Sequence, residues 1–460
     1  MTKRWRASFG RVEMEFDEGF DLPRDVVDEF DNRHRLVAEL ARGGQGVVYR
    51  TEDANLAVKI PFEKIYSDED RVDVIRRYQL IRSLPIPREL PVALPLAVLD
   101  DNAGYVMQLV SEMESFHSCF ETVQHGYTSS SNTVPRWLEG VSDPQLPKWL
   151  WNYARSGSTK RRLFALAQIA SVLSQLHTRG MVYGDLSPNN CFVGTGDRPK
   201  IAIIDSDNIR YEQLAGGQTV YTTRYGAPEV VQGHDCSRPR TDIWSFAVLA
   251  FDSLALRDPF EGMLFEALES EEPGWDSSTP AYPDSRSPTE QSHKGLLPFI
   301  DDIHDDSNRS HGGIDRDLIL SIELKRLFQE ALGDGRLKPW RRPSLIFFAR
   351  ELFRAHDKSI VCPDCGMSYF LGETSCPYCE SQVPRHVVLS TDRWEMVCQN
   401  FDRPVEIPNR LCATFSVVSG NRTVCEAVID FEEQFMTRAR GSEPIPAGVS
   451  VRFQRGGDEV

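Results

Sequence analysis

The stretch Tyr183-Gly184-Asp185-Leu186-Ser187-Pro188-Asn189-Asn190-Cys191-Phe192-Val193, followed by Ile203-Ile204-Asp205-Ser206-Asp207, decides how this chain is read. It places an aspartate and an asparagine five residues apart in one polar loop, and a second aspartate fifteen residues later at the end of an apolar strand. Metal-assisted phosphoryl transfer needs that set of oxygens: one carboxylate orients an attacking hydroxyl, while an amide and a second carboxylate hold divalent cations against phosphate. Either half alone reads as a polar loop before an ordinary core strand. The two together at this spacing favour the chemistry.

Upstream, Leu40-Ala41-Arg42-Gly43-Gly44-Gln45-Gly46-Val47-Val48 forms a glycine-rich turn between two strands. Backbone amides approach phosphate oxygens where side chains are absent, although such a cluster alone is more often a tight hairpin. Thirteen residues after Gly46 comes Lys59, in Leu56-Ala57-Val58-Lys59-Ile60. A lysine on an apolar strand needs an anionic partner if buried; snorkelling at a sheet edge is the plainer alternative.

With these motifs the chain resembles the protein kinase family in its bacterial, eukaryotic-like Ser/Thr branch, over roughly residues 36 to 356. The resemblance implies an α+β, bilobal fold with a β-rich first lobe and an α-rich second lobe. It implies ATP and Mg²⁺ as cofactors. Leu40, Gly43, Gly44 and Gly46 would belong to the phosphate-covering loop, Val48 and Ala57 would contact adenine, and Lys59 would hold the α- and β-phosphates. Asp185 matches the catalytic base, Asn190 and Asp205 the Mg²⁺ ligands, and Phe192 the residue beneath the adenine. Gly104-Tyr105-Val106-Met107-Gln108-Leu109-Val110 matches the strand entering the hinge, with Met107 beside adenine and the backbones of Gln108 and Val110 bonding it; a plain core strand reads the same. Ala227-Pro228-Glu229, Asp242-Ile243-Trp244 and Arg342-Pro343-Ser344 match structural markers of the fold, with Glu229 and Arg342 expected as partners.

The departures from the family pattern limit what the resemblance supports. Ala41 replaces a glycine, Tyr183 a histidine and Ser206 a phenylalanine. Gly184 replaces an arginine that pairs with phosphate on the activation segment, so activity independent of such phosphorylation is expected, and Thr219, Tyr221, Thr222 and Thr223 lose weight as switches. Ser187 stands where a lysine steadies the transferred phosphate. No glutamate occupies the partner position in the first-lobe helix, where Arg77 and Tyr78 fall; Asp73 is the nearest helical acid for Lys59. A pseudokinase scaffold is therefore one alternative. Asp207 and the Gly-Asp-Leu opening resemble aminoglycoside and choline kinase-like phosphotransferases, so a small-molecule phosphotransferase is another. The Ala-Pro-Glu and Asp-x-Trp segments favour the protein kinase, acting on Ser/Thr hydroxyls of protein substrates, the chain itself among them.

At 460 residues there is room for two to four domains. A net charge of −16 argues against a nucleic-acid partner, which calls for a basic stripe. Thirteen acidic against four basic residues between Glu266 and Asp317 suggest a solvated insertion. No apolar run is long enough for a membrane span and no export signal is seen, so a cytoplasmic location is expected. Residues 1–33 read as an extension holding a strand pair, Ala7 to Phe16, and a helix-like stretch, Arg24 to Phe30. The kinase domain is expected over 34–356: a first lobe at 34–110 with five strands, an irregular insertion at about 111–159 holding one short helix around Lys148 to Ala154, and a second lobe at 160–356 that includes the acidic insertion at about 266–317. The first-lobe helix, Arg71 to Leu84, is expected to carry its apolar residues at Val72, Ile75, Leu80, Ile81 and Leu84.

Of ten cysteines, four form Cys362-Pro363-Asp364-Cys365 and Cys376-Pro377-Tyr378-Cys379. Two such turns close a tetrahedral thiolate shell, and so short a segment needs a cross-link to fold. A structural zinc ribbon is expected over 357–383; a redox pair is the alternative. Residues 384–460 alternate apolar and polar over His386 to Leu389, Leu411 to Val418 and Val424 to Phe431, as a small β-rich domain of unknown role. Cys398, Cys412 and Cys425 read as packing residues there. The ribbon and this domain are places for a protein partner.

Overall fold

The computed structural model describes residues 25–42, 46–62, 68–100, 103–121, 146–212, 220–270, 287–391, 394–399, 412–419, 422–430 and 435–441, with short strands at 7–9 and 12–14. The fold is α+β, and the chain divides into two units, Met1–Pro85 with Ala93–Ser111, and Ile86–Val92 with Glu112–Val460.

In the first unit, β1 (Ala7–Phe9) and β2 (Val12–Met14) pair as a hairpin. The main sheet contains β3 (Asp25–Val27), β4 (Arg33–Arg42), β5 (Gly46–Thr51), β6 (Leu56–Pro61), β7 (Pro95–Val98) and β8 (Tyr105–Gln108). It is antiparallel with order β3-β4-β5-β6-β8-β7. The sheet thus has six strands, because β3 replaces the helix expected over Arg24 to Phe30. Val26 and Val27 are β-branched, and Asp28 ends the strand by accepting the amides of Phe30 (2.9 Å) and Asn32 (3.0 Å) in a tight turn. The sheet therefore begins inside the segment assigned to the extension.

One helix, α1 (Asp68–Arg82), covers one face of the sheet with Val74, Tyr78 and Ile81 packed on Ala57, Val98, Tyr105 and Met107. The buried stripe differs from the expected one: Val72 is 49% and Leu80 50% exposed. Tyr78 explains the rotation, because its ring seats against Tyr105 at 4.7 Å and fixes which residues face inward.

The second unit is mainly helical. Its helices are α2 (Leu146–Arg155), α3 (Ser158–His177), α4 (Pro228–Val231), α5 (Pro239–Ala255), α6 (Met263–Ser270), α7 (Pro288–His293), α8 (Arg316–Ile319), α9 (Ile322–Phe328), α10 (Gly335–Leu337) and α11 (Leu345–Asp357). Its central helix, α5, is buried along nearly its whole length, as its run of Ile243, Trp244, Phe246, Val248, Leu249 and Phe251 requires. Small strands frame the loops: β9 (Met113–Ser115), β11 (Cys191–Gly194) and β12 (Ile201–Ile203) form one sheet, and β10 (Met181–Val182) pairs with β13 (Arg210–Tyr211).

Two expected insertions are more ordered than their composition suggested. Within 111–159, β9 pairs with β11 and a π-helical turn at His117–Glu121 buries Phe120, while α2, which buries Leu150 and Tyr153, is the short helix expected around Lys148 to Ala154; residues 122–145 lie outside the described residues. Within 266–317, residues 271–286 lie outside the described residues, while Leu297, Phe299, Ile300 and Ile314 are core. The acids there surround buried apolar residues, which outweigh the local charge.

After α11 come β14 (Ser359–Val361) and β15 (Ser368–Phe370), a hairpin with Cys362 and Cys365 in its turn; Cys376 and Cys379 follow it, between the bridged Ser375 and Gln382. A five-stranded antiparallel sheet ends the described chain, with β16 (His386–Ser390), β17 (Glu395–Cys398), β18 (Cys412–Ser419), β19 (Arg422–Asp430) and β20 (Phe435–Gly441) in order β17-β16-β18-β19-β20. It is held to the hairpin where Gln399 exchanges two bonds with the Val361 backbone, each 2.7 Å, and to α11 where the Trp394 indole donates to Asp357 at 2.9 Å. Cys425 is buried and Cys398 half-buried; the side chain of Cys412 lies outside the described residues. Among the described residues, no helix is long and apolar enough to cross a membrane.

Candidate active site

The loop between β10 and β11 is held from below by Asp242, near the N-terminus of α5 and 1% exposed. Its carboxylate accepts the amides of Tyr183 and Gly184, each at 2.8 Å, and the Nε2–H of His177 at 2.9 Å. The N-terminal end of the helix dipole favours the negative charge. Gly184 has φ +90°, a conformation that suits a residue without a side chain.

Tyr183 is fully buried, and its hydroxyl donates to the Ile204 carbonyl at 2.6 Å. Burial and the nearby Asp205 push this phenol well above its ordinary pKa, so it remains a donor. The bond ties the loop of Asp185 to the end of β12, where Asp205 stands. Asp205 itself has φ 58° and ψ 54°, left-handed for a residue with a Cβ, at a cost of roughly 1–2 kcal/mol. Such strain persists where the surroundings impose it, commonly at functional sites.

Asp185 is 5% exposed, and Thr222 donates its hydroxyl to Asp185 Oδ1 at 2.9 Å. The Asn190 side chain donates Nδ2 to the Asp185 carbonyl at 2.9 Å, which leaves its Oδ1 without a partner among the described residues. The Asn190 carbonyl accepts the Ile204 amide at 2.9 Å, so Asp205 follows directly on a backbone bond to Asn190. The structure therefore groups Asp185, Asn190 and Asp205 through named bonds. Phe192 is half-buried on β11, opposite Ala202 and Ser115; Ser187 and Asp207 are buried.

In the first unit, Val48 lies opposite Lys59, and Ala57 opposite Met107. Residues two apart on a strand share a face, as do directly opposed ones, so Val48, Ala57, Lys59 and Met107 all lie on one side of the sheet. Lys59 is 5% exposed there. Leu40 is 37% exposed near the end of β4, Gln108 is exposed and Val110 half-buried. Gly46 begins β5, while Gly43 and Gly44 lie outside the described residues. The proposed helical partner of Lys59 is corrected: Asp73 is 74% exposed and pairs with Arg76 at 3.2 Å. The buried face of α1 runs through Val74, Tyr78 and Ile81, and Asp73 lies off it, toward solvent.

Glu229 and Arg342 do pair, as a fork with bonds of 2.7 and 2.9 Å, and the guanidinium lies 4.9 Å from the Trp244 ring. Their match to the sequence expectation fixes the end of the segment carrying Thr222. Thr222 itself, Asp242 and His177 were not marked as contacts of the catalytic loop by sequence. Thr222 is one of several hydroxyls in 219–223, and nothing in its spacing sets it apart.

Cys362, Cys365, Cys376 and Cys379 offer Sγ atoms all within 4.8 Å of one another, with Cys362–Cys379 at 3.6 Å and Cys365–Cys376 at 3.7 Å. A tetrahedral shell with zinc–sulfur bonds of about 2.3 Å has sulfurs about 3.8 Å apart, so the spacing fits such an ion. Hydrogen bonds from Cys365 and Cys376 pull the Cys362 thiol toward its thiolate.

Residues 102–300 match the family model described as protein kinase domain. The chain is 23% identical over 279 residues to serine/threonine-protein kinase pkn2 of Myxococcus xanthus, covering 59% of this chain and 30% of that protein. It is 24% identical over 248 residues to serine/threonine-protein kinase PknD of Chlamydia pneumoniae, covering 50% and 24%. A shorter match, 37% identical over 103 residues, relates it to mouse (Mus musculus) ribosomal protein S6 kinase alpha-3, covering 22% and 13%. The chain thus spans less than a third of the length of these relatives. Together with the Asp185–Asn190–Asp205 group and the Glu229–Arg342 fork, these matches show that the chain carries a protein kinase domain.

Proposed function

We propose that the chain transfers the γ-phosphate of ATP to Ser/Thr hydroxyls of protein substrates. The observation that carries this reading is the bonding around Asp185: its Oδ1 already accepts one threonine hydroxyl, from Thr222, as a base receiving a substrate hydroxyl must. Asn190, with its nitrogen committed to the loop and its amide oxygen available as a ligand, and Asp205 suit a hard cation, and Mg²⁺ bound there would neutralise phosphate charge. Lys59, beside Ala57 and Val48, would position the nucleotide phosphates. Asp185 orients the substrate hydroxyl and takes up its proton. Tyr183 and Asp242 keep that carboxylate in register, so positioning supplies much of the rate.

Activity independent of activation-segment phosphorylation belongs to the same proposal. Gly184 offers no cation for a phosphate, and the Thr222 hydroxyl is already engaged. Zinc is the ion proposed for the four cysteines.

The test is transfer of label from γ-labelled ATP to the chain itself and to generic protein acceptors. Wild type labels with Mg²⁺; Asp185→Asn and Lys59→Met fall at least about a hundredfold; Tyr221→Phe with Thr223→Ala stays within about threefold of wild type. Label that persists in Asp185→Asn sinks the mechanism, and a large loss in the double variant sinks the independence. The second reading, a nucleotide-binding scaffold, predicts no transfer by the wild type.

A further inference from the structure

Helix α3 begins without a cap of its own. Its N-cap residue is Gly157, at φ +95° and with no side chain to accept a first-turn amide. The amide of Lys160, the third residue of the helix, instead donates to Ser368 Oγ at 2.9 Å, from β15 and 208 residues away. The Ser368 amide donates in turn to Ser158 Oγ at 2.9 Å, where Ser158 is fully buried, and the Lys160 ammonium donates to the Ser359 carbonyl of β14 at 2.7 Å. Ser368 is thus placed where a helix ordinarily keeps its own serine or aspartate.

The position of Ser368 is set by the cysteine turns. The Met367 carbonyl accepts the Cys362 amide at 2.8 Å, and the Cys362 carbonyl accepts the Gly366 amide at 2.9 Å, so the chain reaches Ser368 directly from the Cys362–Cys365 turn. At the other end of α3 stands His177, bonded to Asp242, which holds the amides of Tyr183 and Gly184. A helix of 20 residues, roughly 30 Å long, joins the cysteine hairpin to the catalytic loop.

We propose that metal held by Cys362, Cys365, Cys376 and Cys379 locks Ser368 in place as the N-cap of α3, making the ribbon a metal-dependent support of the catalytic loop rather than a separate adaptor. The inference rests on the metal reading above. Metal loss frees the Cys362–Cys365 turn, withdraws Ser368 from the Lys160 amide and opens the first turn of α3.

Hydrogen exchange read by mass spectrometry on the full chain tests this, with zinc content measured in each sample. Three samples are compared: protein as purified, protein stripped by a chelator under reducing conditions, and Ser368→Ala. With one equivalent of zinc, the amides of 159–161 are protected; stripping raises their exchange about fivefold or more. Ser368→Ala keeps its zinc and shows the same rise while 376–382 stays protected. Unchanged exchange at 159–161 in the stripped protein overturns the lock, and unchanged exchange in Ser368→Ala overturns the cap. Protein that carries no zinc as purified overturns the metal reading and with it the metal dependence, while Ser368→Ala still decides the cap.

Discussion

Tyr183 is placed to govern the proposed reaction without taking part in it. Its ring is sealed in the core and its hydroxyl makes one bond, to the carbonyl before Asp205. Tyr183→Phe keeps the packing and leaves that carbonyl short of a donor, at a cost of about 1–2 kcal/mol. Phosphoryl transfer by the variant is expected to fall about tenfold in kcat with a smaller change in KM for ATP; steady-state kinetics giving wild-type kcat would count against a positioning role. The spacing of Asp185, Asn190 and Asp205 was legible because a loop and the strand after it are local in sequence. The partners of that loop were not, because His177, Thr222 and Asp242 reach it from α3, the following segment and α5, and tertiary contacts leave no mark at fixed spacing.

Elements were legible where their apolar period was strong. α3 and α5 follow their patterns of Leu, Ala, Ile and Val, whereas α1 turned its face because a buried Tyr78 outweighed Val72 and Leu80. Residues 297–314 escaped notice because isolated apolar residues among acids carry no period. α11 adds a titration. His356 is 1% exposed, packs 4.9 Å from Phe164, bonds Asp357 through Nδ1 at 3.0 Å, and leaves Nε2 without a partner among the described residues. Burial lowers its pKa from 6.5, with Asp357 opposing and Lys160 and Arg198 nearby. The unfolded chain then binds a proton near pH 6.5 that the native fold resists, so stability is full above that pH and falls as pH drops below it. Denaturant unfolding of wild type and His356→Phe from pH 7.5 to 5 should show the steeper loss in wild type, since His293 and His386 are lowered by burial in both proteins; parallel curves would exclude His356 as a source.

At the scale of the whole molecule, the expected succession of kinase domain, cysteine ribbon and β-rich tail understates how closely the later segments are joined to the second unit. Ser359 and Ser368 reach back to α3, Trp394 to α11, and Arg198 to the sulfur of Met396 at 3.2 Å. Residues 1–356 produced alone should therefore be less stable than the full chain by at least about 1 kcal/mol, the worth of one helix cap, and lower in melting temperature; equal melting would show that these later contacts are dispensable. Domain edges were hard to read because a boundary drawn where composition changes misses bonds made across it. The distance from Gly157 to Ser368 has one more consequence, for synthesis on the ribosome. Because α3 awaits a hydroxyl made some two hundred residues later, the nascent second unit stays unfinished until the cysteine turns emerge, and a metal ion available at that moment would help decide whether the newborn chain reaches its native state.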